Sequence, residues 1–205
     1  MIRLHSTLAS INGYKVRLLL SILELPYELV ELDMYAGEHT REPFLSLNPF
    51  GQMPAMTDGD FTIADSHACL VYLARQYDRS DRWLPSDAEG EAKVAEWLSK
   101  SANEVHQGPW MKRAKIRRPD AIKLTDVEID ARCDHILGLM DAHLANRYWL
   151  ARPQATIADI SCFGPISMLD VSGYDTARWT NVRRWMDRVK ALPRAIDIDG
   201  KPYES

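Results

Sequence analysis

The sequence predicts a two-part fold: an α/β domain on a mixed sheet over residues 1–78, a connection over 79–88, and an all-helical domain over 89–205. Three observations carry this prediction. Strand-like and helix-like runs follow one another as β-α-β-α-β-β-α within the first 78 residues, which implies a mixed sheet with helices packed on it. The next stretch is polar, with Arg79-Ser-Asp-Arg, Pro85 and Gly90 as breakers and Trp83-Leu84 as an apolar anchor. Beyond it strand signals cease and apolar residues recur at helical spacing.

In chain order, Ile2 to Leu4 is a short strand. The loop Ser6-Thr-Leu-Ala-Ser-Ile-Asn-Gly follows, with Ser10 and Asn12 as helix-capping types. Tyr14 to Leu23 sets Val16, Leu19, Leu20 and Leu23 on one helical face, and Leu25-Pro26 stops that helix. Tyr27 to Leu32 is the second strand, and Glu38 to Leu47 is polar and partly helical. Ala55-Met56 and Phe61 to Ile63 form a hairpin around Asp58-Gly59. Ser66 to Tyr77 is a helix with Cys69, Leu70, Leu73 and Tyr77 as a stripe. In the second part, Ala92 to Val105 is helical, and Pro109 is expected to kink or end that helix near Gly108. Thr125 to Asn146 is a long amphipathic helix built on Ile129, Cys133, Ile136, Leu137, Met140 and Leu144. Thr156-Ile-Ala-Asp159 has the form of a capping box, opening an apolar helix to Leu169. Asn181 to Ala191 is the last helix, and the polar tail after Ile198 is expected to be loose.

The stretch Asn48 to Ser66 gathers groups that suit a ligand. Met53-Pro54 stands at a strand start, where proline's missing N–H is tolerated and a cis bond is available; a cis bond turns the Met53 backbone groups outward as a free donor and acceptor. Asp65-Ser66 adds a carboxylate, a hydroxyl and the N–H groups of a helix start. That combination fits an extended, peptide-like ligand with a free amino acid end. An ordinary helix cap accounts for Asp65-Ser66 as well.

Bulk properties exclude several classes. The chain is 46% apolar and 26% charged, ordinary for a globular protein with a core. A net charge of -4 argues against a general nucleic-acid surface, and no run reaches the ~20 apolar residues of a membrane span. No apolar signal segment is seen at the start. Cys69, Cys133 and Cys162 form no CxxC and no metal spacing, so they read as small buried hydrophobes in a reducing, cytoplasmic setting.

Ser10-Ile-Asn-Gly-Tyr-Lys-Val-Arg, Glu38-His39, Phe44-Leu-Ser-Leu-Asn-Pro-Phe-Gly-Gln-Met-Pro-Ala, Ile63-Ala-Asp-Ser and Thr156-Ile-Ala-Asp occur in this order over nearly the whole chain. Together they resemble the cytosolic glutathione transferases, and the first segment is most similar to the serine/asparagine type of bacterial theta-, nu- and related classes. Those classes often carry Pro where Ile11 stands and Glu where Asp65 stands; the second change keeps the charge and shortens its reach. The resemblance implies a thioredoxin-like N-terminal domain with a four-stranded mixed sheet, a helical C-terminal domain, glutathione as co-substrate, no metal, and a homodimer.

It also implies roles. Glutathione reacts as a thiolate, and a free thiol with pKa near ~8.5 is only a few per cent ionised at neutral pH. Lowering that value by about two units corresponds to ~2.7 kcal/mol of thiolate stabilisation. Ser10 is the implied hydrogen-bond donor to the sulfur and Asn12 the second candidate, with Ser6 and Thr7 behind them; all are equally readable as caps or loop residues. Met53 is implied to pair its backbone with the cysteinyl part of glutathione, with Pro54 shaping the turn. Asp65 and Ser66 are implied to meet the γ-glutamyl end, and His39 and Gln52 the glycyl end. Asn103, His106, Trp110, Met111 and Arg113 are the candidates for the electrophile pocket. The basic run Lys112 to Arg118 is either a solvated face or a bias towards anionic electrophiles. The leading expectation is conjugation of glutathione to a small hydrophobic electrophile. The alternatives are glutathione-dependent peroxide or disulfide reduction and a non-catalytic binding or scaffold role.

Overall fold

Alternation of buried and exposed residues along Ile2–Ser6 makes strand β1, with Ile2, Leu4 and Ser6 turned inward. The computed structural model describes residues 1–203. β1 pairs in parallel with β2 (Tyr27–Glu31), and the helix between them, α1 (Ile11–Ile22), is the crossover that a parallel pair requires. β3 (Ala55–Asp58) runs antiparallel to β1, and β4 (Phe61–Ala64) antiparallel to β3, so the strand order is β2-β1-β3-β4. A short α2 (Phe44–Leu47) precedes the hairpin, and α3 (Ser66–Tyr77) follows it and packs on α1. This is the thioredoxin-like, four-stranded mixed sheet that the sequence predicts.

Three local expectations change. α1 starts at Ile11 rather than Tyr14 and is buried on nearly every side, Lys15 and Arg17 included, instead of along one stripe. In the hairpin Asp58 pairs with Phe61, so the loop is Gly59-Asp60, not Asp58-Gly59. Asp58 is held in the strand because its carboxylate accepts hydrogen bonds from the Tyr72 and Tyr77 hydroxyls. The tail is not loose. Residues 192–205 group with 1–81 as one compact unit, and 82–191 form the other. Tyr14 donates its hydroxyl to Ile196 O at 2.7 Å, and Arg17 donates to Ile198 O at 2.7 Å.

The helical unit holds α4 (Ala88–Lys100), a π-helical stretch Ser101–Trp110, α5 (Met111–Arg117), α6 (Asp126–Leu144), α7 (Ile157–Ile166) and α8 (Thr180–Lys190). The break expected at Pro109 does not occur. Met111 donates its N–H to His106 O, five residues back, so π-type bonding carries the helix across the missing proline donor. α7 is buried along its whole length, as a helix apolar on all sides must be, and packs against α4, the π stretch and α8. Its capping box is present as expected, with Asp159 also accepting from Leu150 N at 3.0 Å and Trp185 Nε1 at 2.9 Å. Trp83 and Leu84 are buried, and Ile157 N bonds Trp83 O at 2.9 Å. Among the described residues, no helix is long and apolar enough to cross a membrane.

Candidate functional site

The strand register fixes where the sequence-distant site residues lie. His5 pairs with Ala55, and Ala55 with Ala64, so one row of residues crosses β1, β3 and β4. One step further along that row stand Ser6, Pro54 and Asp65. The loop to Ser10, the turn through Met53 and the start of α3 therefore all leave from the same end of the sheet.

The first loop is held from both sides. The Glu31 carboxylate accepts from Thr7 Oγ1 at 2.7 Å and Leu8 N at 2.9 Å, while Arg17 donates to Leu8 O at 2.7 Å. Ser10 then caps α1, its backbone extended and its Oγ accepting from Gly13 N at 3.1 Å. Among the described residues the Ser10 hydroxyl donates to nothing, so its proton is available. The other hydroxyls of the loop are not available. Ser6 is fully buried beneath α1, where a Cβ on Gly13 would stand 2.2 Å from its Oγ, and Thr7 is bonded to Glu31. Asn12 is half-buried, with its amide unbonded among the described residues.

The turn before β3 is organised by Asn48, a residue the motif reading passed over. Its Nδ2 donates to Gln52 O at 2.6 Å, its Oδ1 accepts from Phe50 N at 3.1 Å, and its carbonyl accepts from Gly51 N at 3.0 Å. An Asn ahead of Pro-x-Gly is a turn-forming signal in itself. Gly51 has φ +61°, and a Cβ there would come within 3.2 Å of His39 O, so glycine lets the two loops touch. His39 Nδ1 is buried with no hydrogen-bond partner. The Met53–Pro54 peptide is cis, as expected, and so is Glu42–Pro43. Among the described residues neither the N–H nor the C=O of Met53 is bonded, and the Gln52 side chain is exposed.

Asp65 is the N-cap of α3 and has φ +76°, a left-handed value rare for a residue with a Cβ. Its Oδ1 accepts from His67 N at 2.7 Å, yet its side chain is 68% exposed and so open to a cation. Ser66, 2% exposed, opens the 12-residue helix, and its hydroxyl is unbonded among the described residues. An exposed carboxylate beside the unpaired N–H groups of a helix start can receive both charges of an α-amino acid.

The helical unit separates the five expected pocket residues. His106 and Trp110 stack, centroids 4.2 Å apart, and the Arg118 guanidinium lies 5.8 Å from the Trp110 ring. Arg113 Nε is buried without a partner. Asn103 instead accepts from Gln107, which also accepts from Arg132 at 3.3 Å, and these residues line a cavity of about 410 Å³ together with His135 on α6. The basic run is partly structural: Lys112 ion-pairs with Asp126 at 3.2 Å and Asp130 at 2.7 Å, and Lys115 donates to Leu124 O at 2.6 Å. Burial pushes the Cys69 and Cys133 thiols up to about 12, which keeps both protonated at neutral pH. Among the described residues, no group of three or more His, Cys, Asp and Glu is placed to hold a metal ion.

Comparison with known proteins identifies the family. The family model "Glutathione S-transferase, N-terminal domain" matches residues 2–75, and "Glutathione S-transferase, C-terminal domain" matches residues 106–188. The chain is 32% identical over 200 residues to the glutathione S-transferase GstB of Escherichia coli K12, covering 94% of this chain and 95% of that one. It is 28% identical over 184 residues to human glutathione S-transferase theta-2, covering 82% and 72%. Among solved structures, a possible glutathione S-transferase from Rhodopseudomonas palustris is similar at TM-score 0.84 and 30% identity, covering 97% of each chain. A glutathione S-transferase from Pseudomonas fluorescens is similar at TM-score 0.87 and 26% identity, covering 96% and 98%. The two-part architecture, the matched domains and the full-length relatives together place this chain in the cytosolic glutathione S-transferase family, with theta-like and bacterial GstB relatives.

Proposed function

We propose that this protein conjugates the glutathione thiolate to a small hydrophobic electrophile. The observation that carries the reading is Ser10. It is half-buried at the start of α1, its Oγ accepts from Gly13 N, and among the described residues its proton is undonated. A hydroxyl held in that way can donate to a thiolate, and the helix N-terminus adds a partial positive charge. Asn12 is the second donor.

Glutathione fits the unpaired groups of the N-terminal unit. Met53 supplies a free N–H and C=O for the cysteinyl backbone; Asp65 takes the γ-glutamyl ammonium; Ser66 takes its carboxylate. His39, with its buried unpartnered Nδ1, and Gln52 serve the glycyl carboxylate. Pro54 holds the turn. The thiol proton passes to solvent, the sulfur forms a bond to the electrophilic carbon, and the leaving group departs with its electron pair. His106, Trp110 and Arg113 are the proposed electrophile-binding side chains. Asn103 is committed to Gln107. Lys112 and Lys115 are already bonded, so any preference for anionic electrophiles is assigned to Arg113 and Arg118, with Arg117 the remaining arginine of the run. The reading carries with it a cytoplasmic homodimer in detoxification.

Product analysis tests it. Purified protein, glutathione and an activated aromatic halide are expected to give a thioether and free halide. Oxidised glutathione from an added peroxide, with no thioether from any electrophile, would move the activity to reduction. Absence of both reactions would leave a binding protein.

A further inference from the structure

A buried cation behind the site is one that the chemistry above does not use. Arg17 lies on α1 with 1% of its surface exposed, and one of its nitrogens, Nη2, donates to two carbonyls at once: Leu8 O at 2.7 Å and Ile198 O at 2.7 Å. Leu8 belongs to the loop that delivers Ser10, whose own N–H bonds Thr7 O at 3.0 Å. Ile198 belongs to the tail. Two more side chains of α1 take tail carbonyls in the same way. Tyr14 donates to Ile196 O and Ser21 to Arg194 O, each at 2.7 Å. The tail is closed on itself by the Ile196–Pro202 bridge and by Tyr203 N on Ala195 O at 3.2 Å.

We infer that Arg17 is a positioning residue for Ser10 and that residues 194–203 act as a strap, which fixes the guanidinium and through it the carbonyl of Leu8. The inference rests on the proposed thiol chemistry for its consequence, but not for its geometry. Leu8 is gripped at its N–H by Glu31 and at its C=O by Arg17, so the loop has a single seating. The guanidinium is already under-satisfied, its Nε buried with no hydrogen-bond partner, and losing a carbonyl acceptor at Nη2 would add to that cost, because unpaired buried donors are costly. The tail supplies the second acceptor. Tyr14 on the same helix, Tyr27 and Glu31 on β2, and Asp197 on the tail are the charged and titratable groups that face the cation. Glu31, which also holds Leu8 N, therefore shares its field with Arg17.

The test uses the full chain with Arg17→Lys, Arg17→Gln and, as a control, Ser21→Ala, which removes a tail tether but not the loop contact. The pH profile of kcat/KM for glutathione is expected to move its acid limb up by about one unit in both Arg17 variants, a tenfold loss near pH 6, with activity recovering at high pH. Ser21→Ala keeps the wild-type limb. Amide exchange at Leu8 and Ser10 is expected to speed up in the Arg17 variants. Folded Arg17 variants with an unmoved acid limb and unchanged exchange at those two amides would overturn the strap. If neither variant folds, wild-type exchange decides: Leu8, Ser10 and Tyr203 are expected to open together, and a Leu8 amide exchanging far faster than Tyr203 would refute the coupling. A wild-type protein that conjugates nothing would defeat the proposed function, and the exchange arm would still judge the strap.

Discussion

Ser10 carries two duties that substitution can separate. As N-cap it satisfies Gly13 N, and as donor it has a free proton. Ser10→Ala removes both and is expected to cost about 1 kcal/mol of stability, whereas Ser10→Gly costs only a few tenths. Both variants are expected to lose conjugation alike, by about tenfold to a hundredfold below pH 7, because each lacks the hydroxyl proposed to hold the thiol pKa down. The loss shrinks at high pH, where glutathione ionises unaided. Denaturant titration beside a pH–rate profile checks the pair; an active Ser10→Gly would pass the role to Asn12. Part of this proposed site is visible in the sequence, since Met53-Pro54 and Asp65-Ser66 suggest a ligand by local chemistry, whereas Ser10 alone reads as a cap and takes its proposed role from the family resemblance. Two of the residues that hold the site are not visible in this way. Glu31 and Arg17 act through backbone atoms of other segments, and nothing in their own neighbourhood tells which carbonyl or N–H they will meet, whereas Asn48 bonds within its own turn, where Asn ahead of Pro-x-Gly is a local signal.

At the scale of elements, α7 shows how a short signature can understate its consequences. Thr156-x-x-Asp159 reads as a cap, and the box forms, with Thr156 N donating to Asp159 Oδ2 at 2.9 Å. Asp159 is also a meeting point of three elements: the Leu150 loop, the start of α7 and Trp185 of α8. Burial pushes its carboxyl above the ordinary value, against the hydrogen bonds it accepts. Thr156→Ala is expected to cost about 1 kcal/mol, the worth of a cap. Asp159→Ala strands three buried donors and is expected to cost about 3 kcal/mol or more. Urea unfolding of the two variants measures the gap, and equal losses would mean that Asp159 is no more than a cap. The sequence period found α6 and α8 to within two residues. It failed at Pro109, because a local rule forbids proline in an α-helix and cannot see that a π turn absorbs the missing donor.

For the whole molecule, the decisive feature is that the N-terminal unit is not contiguous in sequence: residues 1–81 are completed by 192–205, while 82–191 are one uninterrupted segment. The sequence could not announce this, since residues 192–203 show neither a strand period nor a long helical one. What seats them is a set of backbone carbonyls and a few apolar side chains, Leu192, Ala195 and Ile196, all buried. The two units should therefore respond differently to loss of the tail. Ending the chain after Ala191 removes those side chains from the unit's core and leaves Tyr14, Arg17 and Ser21 without their carbonyl acceptors. Each stranded donor costs about 1–3 kcal/mol. Native-state amide exchange on the shortened chain is expected to show faster opening across β1, α1 and β2, while the amides of α6 and α7 keep most of their protection. Uniform loss across both units would mean that the tail stabilises the fold generally rather than completing one half of it. Unchanged protection of α1 would mean that Tyr14 and Arg17 find other partners, and that the tail is dispensable to the unit it joins.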